Sequence, residues 1–218
     1  MVEFVLSQIL IPTRFYGFDS IMYLIAAAIG FFVSYYSFKL FRTTSKQHHF
    51  YLFLGFTILS MSLFLLATTT GYVYLNYFVF NVYTGFDPIS YIDDFGFWVY
   101  YTGSLVAYVL FALVYLSEDL KGLKLLPIFL PMWSKGFPYF QILAFFFLSY
   151  VVFRNAVNFA MKKNLNSFLV FSGFGGLALF HFLLIFTSFS KLIWVVAHFS
   201  LLLGFLLMLA MLVRVTRK

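Results

Sequence analysis

Residues 192–213 read LIWVVAHFSLLLGFLLMLAMLV, without one charged side chain. Coiled as an α-helix at about 1.5 Å per residue, this run is roughly 30 Å long, the thickness of a bilayer's hydrocarbon core. A helix that is apolar all round has no face to offer water. In lipid, its backbone N–H and C=O groups are all paired within the helix itself. The stretch therefore reads as a membrane-spanning helix. Working outward, the same reading applies to 20–41, 50–75, 96–116, 138–160 and 167–187, none of which contains an acidic residue.

Composition agrees. Of 218 residues, 63% are hydrophobic and 10% charged, with 34 Phe and 16 Tyr. An ordinary soluble domain is about 45–50% apolar and about 25% charged. The chain has no Cys, which removes disulfides, thiolate metal sites and a Cys nucleophile. The net charge of +7 is read as basic loops on one side of a membrane rather than a nucleic-acid footprint, because no basic stripe lies along a polar face.

A shorter apolar piece, LLPIFLPMW, lies between Lys124 and Ser134 and contains Pro127 and Pro131. Extended over 119–136, it is long enough to cross. Loop charge favours counting it. With seven spans and the N-terminus outside, the cytoplasmic side holds Lys39, Arg42, Lys46, Lys121, Lys124, Arg154, Lys162, Lys163, Arg214, Arg217 and Lys218, against Arg14, Lys135 and Lys191 outside. With six spans the basic residues divide evenly. The expected fold is an all-α polytopic bundle forming one domain over 1–218, with seven spans (six as the alternative) and a cytoplasmic C-terminus. The first residues, MVEFVLSQILIPTR, lack the basic leader of a secretory signal and are expected to stay as a short interfacial helix. The long loop 76–95 is expected outside, packed over the bundle mouth.

Within the spans, His181 and His198 are the leading candidates for chemistry, because an ionisable residue in a membrane is costly. Their midpoint falls in the turn near Phe189, so two antiparallel helices place them at one depth. Two such imidazoles could ligate a metal or haem b, serve a proton-linked role, or simply hydrogen-bond the neighbouring helices. His48 and His49 belong to the opposite side of the bilayer. Gly173, Gly175, Gly176 and Gly204 are expected to let helices pack closely. Ser62, Thr68, Thr69, Thr70 and Thr102 are candidates for interhelical hydrogen bonds. Segments 53–66 (FLGFTILSMSLFLL) and 171–184 (FSGFGGLALFHFLL) share a faint pattern that suggests duplication.

Several classes are disfavoured. No Lys lies mid-way along the last span, so retinal bound as a Schiff base is excluded. Spans free of Asp and Glu argue against a proton pump or cation-coupled transporter. There is no HExxH, no GxSxG and no phosphate loop.

The runs GFGGLALFHFLLIF (173–186) and AHFSLLLGFLLMLAMLVRV (197–215), with YLFLGFTILSMSLFLL (51–66), resemble uncharacterised multispan membrane proteins of archaea. The resemblance covers about a third of the chain. It implies a seven-helix architecture and implies no activity.

The functional expectation is a non-enzymatic module of the cell membrane, a subunit, scaffold or sensor. Its partners would be lipid and other membrane proteins or further copies of itself, with no nucleic acid. The alternatives are a haem- or metal-binding electron-transfer subunit using His181 and His198, and a small-molecule transporter or channel.

Overall fold

The computed structural model describes residues 16–79, 88–115, 137–187 and 189–216. They form six α-helices: α1 (Tyr16–Thr44), α2 (Gln47–Tyr74), α3 (Pro88–Leu113), α4 (Phe137–Lys162), α5 (Leu165–Ile185) and α6 (Lys191–Thr216). A π-helical turn, Leu75–Val79, extends α2. No strand occurs among the described residues. All six helices are long and apolar enough to cross a membrane. Even α5, with 21 residues, spans about 31 Å.

Each helix packs on the next in sequence, and α6 closes the ring on α1. Side-chain contacts fix the directions. α1 and α2 are antiparallel: Ser34 lies 2.6 Å from Thr57, and the Ser20 hydroxyl donates to the Ala67 carbonyl at 2.7 Å. α2 and α3 are antiparallel, with Gly96 against Thr69 and Gly55 against Phe111. So are α4 and α5, through Phe145–Phe182 and Phe159–Phe168, and α5 and α6, through Gly176 and Gly204. Two seams differ. α6 and α1 run parallel, since Asp19 meets Trp194 and Gly30 meets Phe205. α3 and α4 also run parallel, since Tyr101 stacks on Phe140 at 4.2 Å and the Tyr115 hydroxyl donates to Asn155 Oδ1 at 2.7 Å.

The bundle therefore has two distinct ends. α1, α3, α4 and α6 all start at one, here the aspartate end. The tight α1–α2 and α4–α5 turns lie at the other, the hairpin end. Of the described basic residues, Lys39, Arg42, Lys46, Arg154, Lys162, Lys163 and Arg214 cluster toward the hairpin end, and Lys191 starts α6 at the aspartate end. The described acids, Asp19, Asp93 and Asp94, lie toward the aspartate end.

Both tight turns use the same device. Ser45 (φ 52°) and Lys163 (φ 45°) adopt the left-handed conformation. Each donates its N–H to the carbonyl four residues back, Phe41 at 2.7 Å and Phe159 at 2.8 Å, which closes a helix C-terminus. Ser45 and Lys163 are 118 positions apart. The same offset separates Phe41 from Phe159 and Phe56 from Phe174. The repeat seen in sequence thus falls on matching hairpins, and Phe56 and Phe174 stack at the bundle centre with ring centroids 6.3 Å apart. Phe111 and Phe205 join them, 4.6 and 6.0 Å from Phe56. All four rings are buried. The outer surface carries exposed Phe32, Phe146, Phe153 and Phe199, an apolar exterior suited to lipid rather than water.

Three expectations change. Six helices stand among the described residues where the sequence favours seven spans; the expected 119–136 span lies outside them, as does the N-terminal helix over 1–14. α1 begins at Tyr16 rather than 20, which draws Asp19 into its first turn, where a carboxylate suits the helix N-terminus. A span thus does contain a buried acid. Finally, much of the 76–95 loop is helical: the Leu75–Val79 turn shortens it on one side and α3 on the other, with Pro88 at its first position, where no N–H is needed.

Candidate functional site: two buried polar clusters

The two membrane histidines anchor separate clusters on opposite sides of one ring. His181, fully buried on α5, faces α3 and α4. Its Nδ1 lies 2.5 Å from Gln141 Oε1, and its Nε2 lies 2.5 Å from the Tyr108 hydroxyl. A carbamoyl oxygen only accepts, so Nδ1 carries the proton and Nε2 accepts from Tyr108. The imidazole is neutral and has both nitrogens engaged. Gln141 Nε2 nearby is buried without a partner.

His198, on α6, is equally buried but faces α1. Its Nδ1 donates to the carbonyl of Trp194, one turn back on the same helix, at 2.9 Å. Its Nε2 has no hydrogen-bond partner and lies 3.6 Å from Asp19 Oδ1. That same oxygen accepts the Trp194 indole N–H at 2.6 Å. Tyr23, one turn below Asp19, places its ring 5.0 Å from His198 and 6.2 Å from Tyr100 of α3.

Phe180 separates the clusters, with its ring centroid 5.0 Å from His181 and 5.7 Å from His198. The histidines are near neighbours, as their sequence spacing predicts, but they point apart. A haem or metal held by both would require Tyr108 or Gln141 to release His181, and Phe180 to leave the gap. No group of three or more His, Asp or Glu suited to a metal forms among the described residues. In the structure His181 hydrogen-bonds through both ring nitrogens and His198 through Nδ1 alone.

The glycine seam is resolved residue by residue. A Cβ on Gly176 would sit 2.8 Å from Gly204 Cα and 2.9 Å from the Ser200 carbonyl, and one on Gly204 would sit 2.8 Å from the Gly173 carbonyl. Backbone lies on both sides, so these positions tolerate no side chain without separating the helices. Ser200 seals the seam by donating to the Gly176 carbonyl at 2.8 Å. Gly175 differs from the expectation: a Cβ there meets nothing within 4 Å, because it lies about 100° round the helix from Gly176.

The hydroxyl candidates also differ. Ser62, Thr68, Thr69 and Thr70 donate to carbonyls of their own helix three or four residues back, a common arrangement for Ser and Thr in helices. Among the described serines, Ser20, Ser34 and Ser200 make the bonds to a neighbouring helix's carbonyls. Thr102 lines a groove of about 420 Å³ on the flank of α2 and α3, together with Ser62, Phe95, Trp98, Val99 and Gly103. His48 and His49 place their ring centroids 4.0 Å apart, tilted by 58°, at the start of α2, at the hairpin end and away from both clusters.

No protein-family model matches this chain. Neither a curated protein nor a solved structure shows significant similarity to it.

Proposed function

We propose that this chain is a non-enzymatic membrane module with seven crossings, acting through lateral contact with other membrane proteins or with a second copy. The observation that carries this reading is the sealed interior. Phe56, Phe111, Phe174 and Phe205 fill the centre, and the polar groups beside them mostly bond to one another or to carbonyls. Such an interior favours a wall or scaffold over a conduit. The parallel α3 and α4 support the seventh crossing. α3 ends at the hairpin end and α4 begins at the aspartate end, on the side from which α3 set out. The charge distribution supports a cytoplasmic hairpin end in the cell membrane.

The test is to extract the chain from its native membrane after mild crosslinking, analyse it by native mass spectrometry, and record its visible spectrum. The expected result is a colourless preparation carrying the mass of a second copy or a membrane partner. A Soret band lost in both His181→Ala and His198→Ala would overturn the reading in favour of a cytochrome. A lone monomer that moves solutes across liposomes would overturn it in favour of a transporter.

A further inference from the structure

Asp19 and His198 stand out because neither is satisfied by the other as they lie. His198 has committed Nδ1 to the Trp194 carbonyl, so Nε2 alone is available. That nitrogen is buried and unpartnered. The nearest carboxylate oxygen, Asp19 Oδ1, is 3.6 Å away, too far for a hydrogen bond but close enough to become one by moving a few tenths of an ångström. Both residues are over nine-tenths buried. A buried carboxylate with no cation is costly, and a buried imidazole acceptor with no donor is costly too. One proton between Oδ1 and Nε2 relieves both. Whether it rests on the acid or on the ring, the pair stays neutral overall. Removing it strands a negative charge in the membrane, and adding a second strands a positive one.

We propose that Asp19 and His198 form a proton-binding site that takes up and releases a single shared proton at the aspartate end of the bundle. The proton bridges Asp19 Oδ1 and His198 Nε2 when bound and passes to water when released. Asp19 is the fourth residue of α1, so the route to that end is about one helical turn. Because Trp194 donates to the same carboxylate oxygen, its indole N–H reports the state of the site. The other groups facing the pair are Tyr23 of α1, Tyr100 of α3 behind Tyr23, and neutral His181 of α5 behind Phe180. None of these brings a charge. Two interacting groups at this range titrate as a unit, so the midpoint belongs to the pair. The site does not depend on the scaffold reading above, and it adds an acidic partner for His198 that the sequence does not reveal.

The experiment is a pH titration of the full chain in lipid nanodiscs, labelled with ¹³C-carboxyl aspartate, ¹⁵N-histidine and ¹⁵N-tryptophan and followed by NMR. Asp19→Asn and His198→Gln assign the signals. The expected result is one reversible step shared by the Asp19 carboxyl carbon, His198 Nε2 and the Trp194 indole N–H. In Asp19→Asn, which keeps an oxygen acceptor for Trp194, the shared step disappears and His198 keeps its single proton on Nδ1 across the same range. Separate midpoints for Asp19 and His198 would overturn the proposal. So would the absence of any step while the chain stays folded, or an unchanged His198 step in Asp19→Asn. If a variant fails to fold, co-titration in the unaltered chain decides alone.

Discussion

The Tyr108 hydroxyl lies 2.5 Å from His181 Nε2 and, among the described residues, is the group that donates to it. α3 and α5 are not neighbours in sequence, so this bond ties the bundle across its interior. In Tyr108→Phe the ring packing survives and the donor is lost, leaving a buried acceptor unpaired. The expected cost is about 1–2 kcal/mol, read as a lower thermal midpoint in detergent. An unchanged midpoint would show that His181 needs no partner.

The α5–α6 seam predicts a contrast between neighbouring glycines. Gly176→Val drives a side chain into the Gly204 and Ser200 backbone, and overpacking of this kind costs about 1–3 kcal/mol. Gly175→Val meets open space and is expected to stay within about 0.5 kcal/mol of the parent. Equal losses in the two variants would refute this seam geometry.

At the hairpin end, burial pushes the Tyr115 phenol up to about 12. The group is therefore a neutral donor to Asn155 throughout the physiological range. Tyr115→Phe is expected to cost about 0.6 kcal/mol, typical of one hydrogen bond inside a membrane protein, with no dependence on pH near neutrality. A pH-dependent difference between variant and parent would contradict this.

The chain lacks Cys, so single cysteines give a clean map of sidedness. Lys46→Cys and Lys163→Cys are expected to react with a membrane-impermeant maleimide from one side. Tyr91→Cys, Tyr139→Cys and Lys191→Cys are expected to react from the other. Tyr91 and Tyr139 mark the starts of α3 and α4, so their agreement requires a second crossing between them. Labelling of these two from opposite faces would return the count to six.

Much of this architecture is legible in the sequence because lipid imposes a simple rule: long apolar runs become helices. The spans, the apolar exterior and the clustering of basic residues at one end all follow from that rule. So does the closeness of His181 and His198, since a short turn sets their spacing. What sequence does not show is who faces whom. Asp19 looks like a loop residue until α1 is seen to begin at Tyr16, and its partners lie 175 and more positions away. Gln141 and Tyr108 carry no motif at all; rotation of α3 and α4 about their axes selects them. The same rotation separates Gly175 from Gly176, which a count of small residues cannot do.

Where neighbouring helices are antiparallel, the chain itself joins them at one end. The α6–α1 and α3–α4 seams have no such short link, because parallel neighbours start at the same end. Both polar clusters sit against those two seams, Asp19 and Trp194 bridging one, Tyr108, His181 and Gln141 spanning the other. A hoop must be riveted where the band does not run on, and here the rivets are hydrogen bonds.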